Sequence, residues 1–213
     1  MINRRLPVLL FIVAILAASC ATQRDATVDA TPAAEVDNVA SQALPTQSII
    51  GRSVADIELP DASNDGAAFA LSAKDDGVLL VYFGFTFCPD VCPTTLADLR
   101  TALASMGEAA ESVDVSMVTV DPDRDTPEVL ATYIEHFIEG GHALRTDDTE
   151  LLKAAGDAFG ASFDVIKLDD GRIDVLHSAY IYAVDDQGVI VASWPFGAEP
   201  DTIVADLTAF LSG

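Results

Sequence analysis

The chain has 213 residues, half of them hydrophobic, and its 34 acidic and 11 basic side chains give a formal charge of −23. So acidic a balance excludes nucleic acid and anionic membrane surfaces as electrostatic partners. The length is enough for one sizeable core, and no internal repeat is visible.

Arg4 and Arg5 precede the apolar stretch Leu6 to Ala18. This is a charged n-region and h-region of signal-peptide length, too short for a comfortable membrane-spanning helix. Leu16-Ala17-Ala18-Ser19-Cys20 looks like a bacterial lipobox, in which small residues permit cleavage and the following thiol takes a lipid. The expectation is a leader over 1–19, lipidation at Cys20, and a mature protein held to a membrane by lipid and facing the periplasm or another extracytoplasmic space. Residues 20–50 are rich in Ala, Thr, Asp and Gln, with Pro32 and Pro45 and neither Gly nor aromatic residues. They read as a flexible tether to a domain over 51–213. With Cys20 given to lipid, Cys88 and Cys92 are the thiols that remain. In an oxidising compartment an intramolecular disulfide between them is the default when no ligand intervenes.

Val54–Leu59 and Ala68–Leu71 read as short strands and Val78–Phe85 as a buried central strand. Pro93–Met106 is helical, and Val113–Val120 has strand alternation. Pro127–Ile138 carries the helical stripe Val129, Leu130, Tyr133, Ile134 and Phe137. Glu150–Phe159 is a further helix with Gly160 at its end. Phe163–Lys167 and Arg172–Val175 flank the hairpin signal Asp169-Asp170-Gly171, and Ser178–Val184 and Val189–Trp194 make a second hairpin. Asp201–Leu211 closes the chain as a helix. This order is that of an α/β, thioredoxin-like fold, a central mixed sheet flanked by helices, with one helix inserted.

Cys88-Pro89-Asp90-Val91-Cys92 lies where the central strand hands over to a helix. The i, i+4 spacing predicts both sulfurs on one face of the first helical turn. Unpaired N–H groups there favour thiolate over thiol. Two converging thiolates can form a disulfide, attack one, or hold Cu(I) or Zn(II). Asp121, Asp123 and Asp125 face either the cysteines or a partner, or belong to a structural loop; the latter reading is preferred, with Thr126 capping the next helix and Pro127 in its first turn. His136 and His142 read as exposed bystanders, Tyr180 and Trp194 as core or rim packing.

Phe83-Gly84-Phe85-Thr86-Phe87-Cys88-Pro89-Asp90-Val91-Cys92-Pro93 resembles the signature of the SCO/SenC family. Val120-Asp121-Pro122-Asp123-Arg124-Asp125-Thr126-Pro127 is similar to that family's second loop, His177-Ser178-Ala179-Tyr180 to its histidine segment, and 185–197 to its terminal hairpin. The resemblance covers essentially all of 51–213. It implies a thioredoxin-like fold and a copper site made by Cys88, Cys92 and His177. It further implies delivery of copper to the binuclear site of cytochrome c oxidase, or reduction of that site's cysteines. The partners so implied are the oxidase's copper-bearing subunit and another protein that donates copper. Two thiolates suffice for Cu(I), and His177 as third ligand also accommodates Cu(II). Leu176 stands where relatives often carry an acidic residue. The resulting expectation is a metallochaperone rather than an enzyme in the strict sense. Its rival is a thiol–disulfide oxidoreductase using Cys88 and Cys92, although thioredoxin-type reductants have two residues between their cysteines and need no His177. A peroxiredoxin-like peroxidase is a weaker rival, since only Thr86 matches its Arg and Thr constellation.

Overall fold

A computed structural model describes residues 49–212. The expected leader, Cys20 and nearly all of the tether lie outside the described residues. In chain order the strands are β1 (Glu58–Asp61), β2 (Ala67–Ala70), β3 (Val78–Gly84), β4 (Val113–Thr119), β5 (His142–Leu144), β6 (Phe163–Lys167), β7 (Ile173–His177), β8 (Tyr180–Val184) and β9 (Ile190–Pro195). The helices are α1 (Val91–Met106), α2 (Pro127–Phe137), α3 (Thr149–Phe159) and α4 (Pro200–Leu211).

Every residue of β3 is buried, because the strand is enclosed along both edges and on both faces. β4 pairs with it in parallel and β8 antiparallel, at the centre of a sheet ordered β2-β1-β5-β4-β3-β8-β9. The register Val81↔Tyr182 puts Val81, Phe83 and Tyr182 on one face. There Phe159 of α3 packs at 5.5 Å from Phe83 and 5.2 Å from Tyr182, ring to ring. Leu80, Tyr82 and Gly84 belong to the opposite face, covered by α1, which packs beside α4. Burial on both faces is why β3 reads as an unbroken apolar run rather than an alternation. This is the mixed-sheet, thioredoxin-like architecture expected from the sequence.

Three elements differ from expectation. Residues 52–57 do not form a strand. Gly51, Arg52 and Val54 instead bond across the β8–β9 turn, to Ile190 and Gly188, and the strand begins only at Glu58. β5 was not expected; three residues after Gly140-Gly141 are too few to show a period. The β6–β7 hairpin forms its own two-stranded sheet, and β7 runs past the expected end at Val175 to His177.

His142 is not a bystander. Its Nδ1 lies 2.8 Å from Oδ2 of Asp61, a carboxylate only 1% exposed, whose Oδ1 accepts from the backbone N–H groups of Ser63 and Ala143. This cluster fastens β1 to β5, where the strands share the single register pair Asp61↔Leu144. His136 is exposed in the last turn of α2, as expected. Trp194 is buried, with its indole N–H donating to Asp206 of α4 at 2.8 Å. No helix among the described residues is long and apolar enough to cross a membrane.

Candidate metal centre

Cys92, Leu96, Leu99 and Ala102 form the buried stripe of α1, at the three- and four-residue spacings of one helix face. Burying the two leucines contributes about 1.5–3 kcal/mol each. That stripe turns Cys92 inward onto β3, where it is fully buried. Cys88 precedes the helix, in the turn after β3, and is part-exposed. The expected shared helical face is therefore corrected: α1 begins at Val91, and Cys88 meets Cys92 by another route. Asp90, the residue at the helix N-cap, makes no side-chain cap. The Cys88 sulfur takes that role, accepting the backbone N–H of Cys92 at 3.3 Å.

His177 comes to the same place from the end of β7. Its Nε2 lies 3.6 Å from the Cys92 sulfur, with the ring edge-on to Phe85 at 5.6 Å and to Tyr82 at 6.3 Å between centroids. One donor atom from each of Cys88, Cys92 and His177 fits within a span of 4.8 Å. The three residues singled out from sequence thus converge, and together they could hold a metal ion.

The imidazole is oriented from its far side. Nδ1 lies 3.2 Å from the Ser178 carbonyl oxygen. That acceptor favours the tautomer with the proton on Nδ1 and a free lone pair on Nε2, towards the sulfurs. Leu176 is exposed and leaves the orienting to this carbonyl. Burial lowers the His177 pKa, opposed by backbone hydrogen bonds to Ser178 and Phe83, which favours the neutral, ligand-competent ring.

Electrostatics at Cys92 run against the expectation of a stabilised thiolate. Burial pushes its thiol up to about 12, although the Tyr82 hydroxyl and a backbone contact at Phe85 pull the other way. Desolvation outweighs the helix terminus. A metal bound there at neutral pH would therefore displace the Cys92 proton.

The aspartate loop is structural, as preferred from sequence. Asp125 is fully buried and accepts from the Thr86 hydroxyl at 2.6 Å, the Thr86 N–H at 3.1 Å and the Thr119 hydroxyl at 2.6 Å. It thereby anchors the chain two residues before Cys88. Asp121 pairs with Arg124, whose guanidinium lies over the Phe87 ring at 4.9 Å, and Asp123 pairs at the surface with Lys167. Thr126 caps α2 through the Val129 N–H, and Pro127 sits in its first turn.

Three contributors were given no such role in the sequence reading. Tyr82 is fully buried and its hydroxyl donates to the Cys92 sulfur at 3.4 Å. Gly84 leaves room for both, since a Cβ there would stand 2.7 Å from Tyr82 Cε1 and 3.1 Å from the Cys92 sulfur. Thr86 carries the Asp125 anchor. The available signal was a period of two: Tyr82 and Gly84 alternate onto one face of β3, and Tyr82 is the only residue of that strand with a polar side-chain atom.

The SCO1/SenC family pattern matches residues 62–212. A Stutzerimonas stutzeri protein provisionally named copper-binding is 32% identical over 138 residues, 64% of this chain and 66% of its own length. The chain thus spans just under two thirds of that relative. The structure of Bradyrhizobium japonicum ScoI with copper bound is 30% identical with a TM-score of 0.62, over 76% of this chain and 99% of that one. The solution structure of apo Sco1 from Thermus thermophilus is 34% identical with a TM-score of 0.63, over 74% of this chain and 91% of that one.

Proposed function

The chain belongs to the SCO1/SenC family, and from that premise we propose that it is a copper metallochaperone acting outside the cytoplasm, delivering copper to the binuclear site of cytochrome c oxidase during assembly. The observation that carries the reading is the convergence of two sulfurs and one imidazole within 4.8 Å. This donor set is soft enough for Cu(I) and contains the nitrogen that Cu(II) prefers. With two thiolates and a neutral imidazole, the loaded site has net charge −1 for Cu(I) and zero for Cu(II), so neither state leaves a large charge uncompensated. Copper in the structure of the Bradyrhizobium japonicum relative supports the choice of metal, and the family resemblance supplies the recipient.

Thiol–disulfide exchange is the competing use of the same sulfurs. Full burial of Cys92 and its raised pKa weigh against that cysteine as an attacking nucleophile, which must be thiolate and accessible.

The test is transfer. Copper-loaded protein is mixed with the copper-free copper-binding domain of the oxidase subunit, and metal is counted on each after separation. Movement of copper to the oxidase domain is the expected result. Retention by the donor, together with normal oxidase activity in cells lacking this protein, contradicts the reading.

Anchoring is a second part of the proposal, resting on Arg4-Arg5, Leu6 to Ala18 and Ser19-Cys20. Cys20→Ala is expected to abolish lipid attachment and leave an uncleaved or mislocalised precursor. An unchanged mass and membrane fraction would rule out lipidation at Cys20.

A further inference from the structure

Each cysteine sulfur has its own hydrogen-bond donor. Cys88 receives the Cys92 backbone N–H at 3.3 Å, and Cys92 receives the Tyr82 hydroxyl at 3.4 Å. The first donor belongs to the helix terminus and is available to any residue at position 88. The second is a side chain that a purely packing role would not require to end in oxygen. Phe83, the next residue on the strand, fills its own buried site with no hydroxyl. Tyr82 moreover faces both Cys92 and His177 from β3, its hydroxyl on the sulfur, its ring edge-on to His177 and its Cε1 excluding a side chain at Gly84.

We propose that Tyr82 is a positioning residue that biases the site towards the lower copper oxidation state, acting through the Cys92 sulfur. This inference rests on the copper-binding reading above. The reason is the charge difference between the two loaded states. With Cu(I) the site is net −1 and the sulfurs keep more electron density; with Cu(II) the site is neutral and density moves from sulfur to metal. An O–H donor held against sulfur interacts more strongly with the richer sulfur, because hydrogen bonds strengthen with charge on the acceptor. Cys92 is fully buried, so the difference is only weakly screened. Hydrogen bonding at a cysteine sulfur is a general lever on copper potentials.

The test compares wild type with Tyr82→Phe, which keeps the ring and removes the donor. Cu(I) and Cu(II) affinities are measured by chelator competition, and the potential of the loaded protein by spectroelectrochemistry. The ratio of Cu(II) to Cu(I) affinity is expected to rise roughly fivefold, the scale of one hydrogen bond, with a lower potential and a sulfur-to-copper absorption displaced from that of wild type. Replacing Tyr82 by a ring-fluorinated tyrosine, a stronger donor of nearly the same shape, is expected to move the ratio and the potential the opposite way. That second variant decides the matter if Tyr82→Phe folds poorly. Equal weakening of both oxidation states, or an unchanged potential in both variants, would overturn the inference while leaving the copper reading intact. Failure of wild type to bind copper at all would instead overturn the reading on which the inference rests.

Discussion

A Cys92→Ser variant is expected to lose Cu(I) affinity by more than the roughly 10–100-fold that removal of a mere orienting partner costs a metal site. Serine offers a hard oxygen that stays protonated, where the site needs a soft thiolate. The fold should tolerate the exchange, since a hydroxyl is smaller than a thiol and can still accept from Tyr82, now 3.4 Å from the sulfur. Cys88→Ser is expected to act in the same direction. There the fold is protected further, because a serine hydroxyl can accept the Cys92 N–H that the Cys88 sulfur accepts now. Competition against a chromophoric Cu(I) chelator measures both variants, with thermal unfolding as the control for folding. Wild-type affinity in either variant would remove that sulfur from the site.

The second large effect is selective for oxidation state. His177→Ala is expected to keep Cu(I) in weakened form, because two thiolates suffice for a two-coordinate site, and to lose most Cu(II) binding with its sulfur-to-copper absorption. The same change should barely alter reduction of a disulfide substrate, since His177 contributes no sulfur and the exchange chemistry lies with the two thiols. The variant therefore separates the chaperone from the oxidoreductase. Intact Cu(II) spectra and normal oxidase assembly with His177→Ala would contradict the three-donor site and favour thiol exchange.

The donor triad was readable from sequence because each member lies in a segment with its own signature, and because the strand-to-helix handover at Cys88–Cys92 is marked by a long apolar run followed by a helical stripe. How the donors meet was not readable. Spacing alone suggested a common helical face, whereas Cys88 lies ahead of the helix and reaches Cys92 by capping its N–H. The expected thiolate stabilisation also failed at Cys92, because the helical stripe that positions the residue buries it completely. Desolvation is a tertiary quantity that a local motif does not carry. His142 was misjudged for a related reason: its partner Asp61 is 81 residues away in sequence, and β5, which brings them together, is too short to announce itself. Tyr82 shows the remaining gap. An aromatic residue in a buried strand normally means packing, and only the position of its hydroxyl against a sulfur gives it a second role.

The most direct measurement is a Cu(I) titration of three samples: the reduced protein, the same protein oxidised to any Cys88–Cys92 disulfide, and the Cys88→Ser, Cys92→Ser double variant. Sulfurs joined to each other cannot both act as thiolate ligands, and hydroxyls cannot replace them. The account predicts one tightly held Cu(I) per chain in the reduced wild type and none in the other two. Stoichiometric tight copper in the double variant would place the site elsewhere and contradict it.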